Sequence, residues 1–362
     1  MKHVQIKNKT MEVPIIQGGM GVGVSLGGLA GAVMAEGGMG CISAANPGFK
    51  RDDFFKKPNE ANLTQFALEI KKARAISASK GLLAVNIMVA GSTYTQLVKQ
   101  AVESGVDAII SGAGLPLELP QLVAGSDVAI APIVSSAKAA SLICRSWERK
   151  HGVLPDFIVI EGSEAGGHLG FSKEELVAGT QKDLQTILHE TIEVVRQIEE
   201  RIGRKIPIFV AGGIFDGHDI AKYIEAGADG VQMGTRFIGT HECDAPASYK
   251  QQFIEATPSD IVLTRSPAGL PGRAMANSFV QKLATVDRLP PNWCINCLKP
   301  CKPRETVYCI SEALINAVQD KVADGLVFTG TNGYKIEKLA SVKEVIKQLT
   351  HDFATATGGS LV

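Results

Sequence analysis

Residues 157–170, which read FIVIEGSEAGGHLG, decide the fold. The first four form an uninterrupted apolar run, typical of a parallel strand that is buried on both faces. The rest is a glycine-rich loop that carries a single histidine, His168. Glycine lets the backbone approach a ligand closely, and histidine exchanges protons near neutral pH. The stretch therefore predicts a buried strand whose end opens into a ligand site.

Apolar runs of the same kind recur on both sides of this stretch, and helical patterns separate them. They predict eight strands, at residues 13–20, 39–43, 82–89, 108–112, 129–134, 157–160, 206–211 and 230–233. Eight strand–helix units favour a closed TIM-like (β/α)8 barrel, an α/β fold, over an open doubly wound sheet. The glycine-containing strand ends then meet at one mouth of the barrel, where such barrels have their sites.

The regular alternation stops after Phe237. We therefore predict three parts: the barrel at residues 1–240, an inserted lid at 241–306, and C-terminal elements at 307–362 that pack back on the barrel. The lid is expected to be smaller than the barrel and mostly helical, and it contains a group of cysteines.

The charges of the chain balance, with 37 basic and 37 acidic residues among 362. The lack of a basic excess argues against nucleic acid or a membrane surface as a partner. The N-terminus has no apolar signal-peptide segment, and residues 17–35 contain too much glycine for a membrane span. These features predict a cytoplasmic protein and leave an oligomer open.

Two consecutive strand ends carry small residues suited to a phosphate. Ala211-Gly212-Gly213 ends the seventh strand, and Gly234-Thr235 follows the eighth. In phosphate-binding barrels the loops after these two strands hold the phosphate, helped by a helix N-terminus. Ordinary tight turns also favour glycine, but two such turns at these positions favour phosphate binding.

Single residues near the mouth complete the predicted site. Asn86 interrupts an apolar strand near its end, where contact with a ligand is favoured over a purely structural role. His168 is the candidate for proton transfer. Leu26 occupies the third glycine position of a dinucleotide fingerprint and so excludes that motif, while Ser25 is expected to cap the first helix.

These motifs resemble the nitronate monooxygenases, formerly called 2-nitropropane dioxygenases, and their relatives, the flavin-dependent enoyl-acyl-carrier-protein reductases. The matching pieces run in family order over roughly the first 240 residues, at positions 14–20, 85–88, 164–168, 211–214 and 232–236. The resemblance implies a TIM-like barrel that binds FMN, with a smaller helical domain. It implies that His168 is the active-site histidine. It further implies that the flavin is contacted by Gly19, Met20, Asn86, Glu161, Gly166, Gly167, Gly212, Gly213, Gln232, Met233, Gly234 and Thr235.

The resemblance leaves the activity open between alternatives. A nitronate monooxygenase oxidises an alkyl nitronate with O2 to a carbonyl compound and nitrite. An enoyl reductase of this type uses NAD(P)H to reduce the flavin, which then reduces an enoyl thioester. Residues 85–88 are more similar to the reductases, and residues 21–25 to the monooxygenases. A third alternative is a non-catalytic FMN- or phosphate-binding barrel, against which His168 argues.

A cysteine group sets this chain apart from that family. Cys294, Cys297, Cys301 and Cys309 have the spacing C-x2-C-x3-C-x7-C, which resembles the cluster segment of the iron–sulfur dienoyl reductases. Four thiolates can hold a [4Fe–4S] cluster or zinc, so these residues are candidate metal ligands. The alternative is a set of reduced cysteines packed in the lid. The isolated Cys41, Cys144 and Cys243 are expected to be core or surface residues.

Overall fold

Eight parallel strands close into a barrel in the computed structural model, which describes residues 1–267 and 269–359. Neighbours around the barrel follow chain order, and the last strand pairs with the first. The strands are β3 (Ile15–Gln17), β4 (Met39–Ser43), β5 (Leu82–Met88), β6 (Ala108–Gly112), β7 (Ala129–Val134), β8 (Ile158–Glu161), β10 (Ile208–Ala211) and β11 (Gly230–Met233). The predicted (β/α)8 fold is confirmed.

Helices cover the outside of the barrel. They are α1 (Gly27–Ala35), α2 (Pro58–Ser77), α3 (Tyr94–Glu103), α4 (Leu119–Leu122), α5 (Ala137–His151), α6 (Lys173–Ala178), α7 (Leu184–Ile202), α8 (Gly217–Glu225) and α9 (Thr235–Ile238). All of them except α6, which has no buried residue, pack apolar side chains on the strands or on neighbouring helices. Trp147 of α5 is fully buried there. This burial is the main source of stability in such a fold.

An N-terminal hairpin seals the bottom of the barrel. It consists of β1 (Val4–Ile6) and β2 (Lys9–Met11), which pair antiparallel. Ile6 and Met11 are buried in one cluster with Phe157 and Phe209, which point into the barrel. Because side chains fill the lower barrel, a ligand has access from the opposite mouth.

The strand register brings the predicted site residues to one level of that mouth. Ala211 at the end of β10 is paired with Glu161 of β8 on one side and Gln232 of β11 on the other. Asn86 of β5 is likewise paired with Ser43 of β4. The carboxyl ends of parallel strands thus form a common rim.

The remaining elements lie around this rim. They are β9 (Gly167–His168), α10 (Ala247–Ile254), β12 (Ile261–Thr264), β13 (Gly272–Met275), α11 (Ser278–Thr285), α12 (Ile310–Ala317) and α13 (Val342–Ala356), with short 3-10 helices at 47–50, 258–260, 322–324 and 333–335. β9, β12 and β13 form an antiparallel sheet in the order β12-β13-β9, and α13 packs on α8. The division of the chain into a barrel, a lid and C-terminal elements stays a prediction. Residue 268 of the predicted lid and residues 360–362 of the predicted C-terminal part lie outside the described residues.

The predicted helix cap at Ser25 is wrong. The Oγ of Ser25 accepts a hydrogen bond from the backbone N–H of Met20 at 2.7 Å, and α1 begins after Leu26. The carboxylate of Asp244 instead accepts from the N–H groups of Leu26, Gly28 and Leu29 at 2.8, 3.1 and 3.0 Å. A carboxylate from a distant segment therefore satisfies the free donors at this helix start.

No helix within residues 1–267 and 269–359 has the length and apolar character needed to cross a membrane.

Candidate active site

One cavity opens at the carboxyl ends of the barrel strands, and every residue predicted for the flavin or for catalysis lines it. Those residues come from the ends of five barrel strands or the loops that follow them. They are Gly19, Met20, Asn86, Glu161, Gly166, Gly167, His168, Gly212, Gly213, Gln232, Met233, Gly234 and Thr235. The fold therefore brings together residues that are more than 200 positions apart in the sequence.

The turns after β10 and β11 form a backbone cradle at one end of the cavity. Gly212 and Gly213 have φ angles of +94° and +81°, a conformation that L side chains rarely adopt. A Cβ at Gly212 would also lie only 3.0 Å from the backbone nitrogen of Ala165. Across the cradle, the hydroxyl of Thr235 accepts a hydrogen bond from the N–H of Gly330 at 2.9 Å. Backbone amides in such turns suit an anion.

The middle of the cavity is equally dependent on glycine. A Cβ at Gly19 would lie 2.3 Å from the Cβ of Asn86, and one at Gly166 would lie 2.5 Å from the backbone of Thr329. Gln232 is 8% exposed, and among the described residues its Oε1 has no hydrogen-bond partner. A buried polar atom without a partner is costly, so Gln232 is suited to a ligand that donates a hydrogen bond.

Glu161, the last residue of β8, is half-buried and faces the cavity. Burial raises the pKa of its carboxyl to about 7. The charged form is disfavoured because it would lose hydration in this enclosed position. At neutral pH the carboxyl therefore exists in both protonation states, and the protonated form offers one donor and one acceptor, as an amide does.

Contacts from the lid fix the loop that carries His168. His168 is paired with Gly272 of β13, and the N–H of the next residue, Leu169, donates to the carbonyl of Pro271 at 2.9 Å. The Nη1 of Arg273, also on β13, donates to the carbonyls of Ser163 and Ala165, each at 2.6 Å. The position of His168 is thus set jointly by the barrel loop and by β13.

The imidazole of His168 is held by two side chains. Its Nε2 is 2.6 Å from the Oγ of Ser266, and its ring meets that of Phe328 edge to face, with centroids 5.3 Å apart. Burial lowers the pKa of His168 to about 4. The ring is therefore neutral at physiological pH, and it contributes hydrogen bonds and proton exchange rather than a positive charge.

Comparison with known proteins identifies the family. The family model described as nitronate monooxygenase matches residues 2–352. The chain belongs to the nitronate monooxygenase family. The resemblance predicted from the motifs is confirmed.

Individual relatives of this family member agree with that result. It is 36% identical over 138 residues to a probable nitronate monooxygenase of Staphylococcus saprophyticus, an alignment that covers 38% of this chain and 37% of the relative. A dehydrogenase of Mycobacterium tuberculosis, named for a methyl-oxo-octahydroindene carboxyl-CoA substrate, is 27% identical over 278 residues, covering 77% of this chain and 67% of that protein. The alignment with the staphylococcal protein thus spans little more than a third of its length.

Solved structures share the fold of this chain over nearly its whole length. FabK of Thermotoga maritima superposes with a TM-score of 0.74 at 24% identity, covering 96% of this chain and 95% of that chain. A nitroalkane oxidase of Streptomyces ansochromogenes superposes with a TM-score of 0.72 at 21% identity, covering 96% and 98%. At these sequence identities the superpositions show a shared fold, which includes the barrel and the elements added to it.

The cavity also contains residues that the sequence did not reveal. Glu164, Phe328 and Thr331 line it, together with Asn332, whose Nδ2 donates to the carbonyl of Gly213 at 2.7 Å. Most of these residues come from the segment that follows α12, far along the chain from the barrel turns. The sequence signal that could have indicated this segment is Gly330, which follows an apolar run. A glycine at such a position is typical of a place where the backbone lies close to a neighbouring segment.

The structure does not support the metal site that was predicted at the cysteine group. Cys294, Cys297, Cys301 and Cys309 are all free thiols, and burial raises the pKa of Cys309 to about 11. Within the described part of the chain, no three His, Cys, Asp or Glu side chains are positioned to hold a metal ion. The predicted [4Fe–4S] or zinc site is therefore unsupported, although Cys297 does line the cavity.

The three isolated cysteines follow the prediction. They are buried in the core, as expected for residues that pack as small apolar side chains: Cys41, Cys144 and Cys243.

Proposed function

We propose that this chain is an FMN-dependent oxidoreductase that oxidises alkyl nitronates with O2 to a carbonyl compound and nitrite. The observation that carries the proposal is that the glycine cradle and His168 line the same cavity. The chain that contains this cavity belongs to the nitronate monooxygenase family. The cradle suits the phosphate of a cofactor, and the histidine lies where a substrate would meet that cofactor. Both parts are needed for a flavin enzyme.

The residues of the cavity fit FMN. The amides of the turns at Gly212-Gly213 and Gly234-Thr235 would bind the phosphate. The unpartnered Oε1 of Gln232 would accept a hydrogen bond from the cofactor, and Asn86 and Glu161 supply further polar contacts. Bound there, FMN would supply the electron-transfer chemistry.

His168 would bind and orient the substrate beside the cofactor. Because the ring is neutral, it does not neutralise the charge of a nitronate; it exchanges a proton with the substrate or hydrogen bonds to it. Phe328 packs against the ring edge to face and would help to hold its orientation.

The alternative function is an NAD(P)H-dependent flavin reductase of the enoyl-acyl-carrier-protein reductase type. The superposition on FabK over 96% of this chain supports it, as does a superposition with a TM-score of 0.67 on the enoyl reductase domain of MlnA from Bacillus amyloliquefaciens. In that reaction His168 would give a proton to the substrate instead of taking one. A non-catalytic barrel is set aside, because the chain belongs to a family of oxidoreductases.

Anaerobic reduction of the purified, FMN-loaded protein tests the proposal. An alkyl nitronate is expected to bleach the flavin absorbance, while NADH and NADPH leave it unchanged. Admission of O2 should then restore the absorbance and release nitrite in proportion to the nitronate consumed. Bleaching by NADH or NADPH with no response to nitronate would contradict the proposal and support the reductase.

A further inference from the structure

The cysteine-containing segment is fastened to the barrel loop that follows β5. The N–H of Ser92 donates to the carbonyl of Cys297 at 3.1 Å, and the N–H of Lys299 donates to the carbonyl of Ala90 at 2.9 Å. The same two stretches form an antiparallel bridge at Leu298. Backbone bonds on both sides of Leu298 fix the position of the segment, and both Cys297 and Leu298 line the cavity.

Cys297 and Leu298 belong to a cluster of apolar side chains that reaches the cavity. Burial raises the pKa of the Cys297 thiol, so this side chain is uncharged and packs as an apolar group. The other members come from the end of β5, from α12 and from the segment that follows α12. Apart from alanine, the cluster members that line the cavity, here called the apolar compartment, are Met88, Cys297, Leu298, Ile310, Leu314 and Phe328.

The apolar compartment lies on the His168 side of the cavity. Its Phe328 meets the ring of His168 edge to face, with centroids 5.3 Å apart. Its Met88 ends β5, which lies four strands away from β10 in either direction around the closed barrel. The compartment is therefore across the mouth from the glycine turn of β10 and beside the histidine.

The charged side chains that line the cavity carry no positive charge at neutral pH. Glu161 and Glu164 line it, and no lysine or arginine from residues 1–267 or 269–359 does so. Burial lowers the pKa of His168 to about 4, so this ring is neutral as well. A carboxylate at the far end of a substrate chain would lose hydration in the compartment without gaining a cationic partner. An uncharged alkyl chain would instead gain about fourfold in affinity for each methylene that is fully buried.

We propose that the apolar compartment binds the hydrocarbon chain of the substrate, and that the cysteine-containing segment forms part of its wall. The substrate class that follows is a nitronate with an uncharged chain of several carbons. The inference rests on the proposed function in taking a nitronate as the substrate. The chain-binding role of the compartment can be measured without turnover, with unreactive ligands.

Cys297→Phe is expected to fill the apolar compartment. The added ring takes the space of a long chain, whereas a two-carbon ligand needs little of that space. Cys301→Phe is the matched control, because Cys301 packs on the same cluster but does not line the cavity. Leu314→Ala acts in the opposite sense by enlarging the compartment, so it should favour longer chains.

Binding of carboxylates to the FMN-loaded, full-length protein tests the proposal through the change in flavin absorbance. Acetate, hexanoate and adipate share a planar anionic head with a nitronate, and adipate has a second carboxylate in place of the terminal methyl of hexanoate. We expect hexanoate to bind about 50-fold more tightly than acetate and at least about tenfold more tightly than adipate. Cys297→Phe should reduce the preference for hexanoate over acetate to less than about fivefold, and Cys301→Phe should leave it unchanged.

The same order is expected for kcat/KM of the matching nitronates, those of nitroethane, 1-nitrohexane and 6-nitrohexanoate. Equal binding of acetate and hexanoate, adipate bound as tightly as hexanoate, or an equal loss of preference in Cys301→Phe would overturn the proposal. If Cys297→Phe does not fold, Leu314→Ala decides: the affinity for octanoate relative to hexanoate should rise about fivefold, and an unchanged ratio would overturn the proposal. A hexanoate preference that Cys297→Phe abolishes, in a protein that turns over no nitronate, would support the compartment and contradict the proposed function.

Discussion

The two ends of the cavity are built in different ways. The end at Gly212-Gly213 and Gly234-Thr235 consists of backbone turns that follow two adjacent barrel strands. The end at His168 depends on Ser266 and Phe328, and Ser266 is 98 residues away in sequence. Barrel closure therefore brings the two glycine turns together, and Gly330 and Asn332 add contacts to Thr235 and Gly213. The surroundings of His168, by contrast, are supplied mainly by segments that follow the barrel in the chain. This difference predicts that variants can damage one end while sparing the other.

The largest expected effect is at the backbone end. Gly212→Ala would force an alanine into a φ of +94° and against backbone atoms of Gly162 and Ala165 at 3.0 Å, which cannot move aside as a side chain can. We expect the affinity for FMN to fall about 100-fold, a loss of about 3 kcal/mol. The affinity is measured by titrating the flavin-free protein with FMN and monitoring the flavin fluorescence.

Gly152→Ala is the matched control for this substitution. Gly152 ends α5 with a φ of +67° and has no atom within 4 Å of its would-be Cβ, so the variant isolates the cost of the backbone conformation. If Gly212→Ala binds FMN as tightly as Gly152→Ala, then the β10 turn does not hold the cofactor.

A second prediction concerns Glu161, which lines the same cavity. Its folded-state pKa is raised, so the folded protein holds a proton that the unfolded chain releases, and stability falls as pH rises from about 4.5 to 7. Between pH 5.5 and 7.5 this loss is about 2 kcal/mol. Glu161→Gln should remove that part of the pH dependence while retaining FMN binding, since the amide resembles the protonated carboxyl. Urea unfolding of the wild type and of Glu161→Gln at the two pH values measures this change in the free energy of unfolding. An equal pH dependence in both proteins would contradict the raised pKa of Glu161.

A smaller effect is expected from Arg273, which joins the lid to the His168 loop. Arg273→Lys keeps the charge, but the lysine side chain is one bond shorter, so its Nζ does not reach the carbonyls of Ser163 and Ala165 as the Nη1 of Arg273 does. We expect kcat/KM to fall about tenfold, while the affinity for FMN changes less than about threefold. Steady-state kinetics and FMN titration on the same preparation separate the two effects.

Arg288→Lys is the control for that variant. Arg288 also donates to two carbonyls, those of Thr306 and Pro303, but it does so at an exposed site that does not line the cavity. An equal loss of activity in both variants would show that lid stability in general, and not the clamp on the His168 loop, controls turnover.

The barrel and its glycine turns could be predicted because their signals are local. An apolar run followed by glycine indicates a parallel strand and its turn without any knowledge of distant residues. Closure of eight such units then brings Asn86, Glu161, Gln232 and Thr235 to one mouth. The predicted flavin contacts needed no information beyond this regular alternation and the family resemblance.

Features that depend on side chains from distant segments could not be predicted in this way. Ser25 has the residue type of a helix cap, yet Asp244 supplies the cap from more than 200 residues away. The cysteine spacing suggested a metal, but spacing does not determine where the thiols point once the segment has packed. Ser266 and Phe328, which contact His168, likewise carry no local sequence pattern that links them to this histidine.

The central claim is that the glycine turns hold the flavin while His168 acts on the substrate. The most direct test compares His168→Ala with the wild type, both loaded with FMN to the same content, in anaerobic stopped-flow reduction by an alkyl nitronate. We predict that His168→Ala binds FMN within about threefold of the wild-type affinity, and that its flavin is reduced at least about 100-fold more slowly. Reduction at the wild-type rate with equal flavin content would contradict the claim.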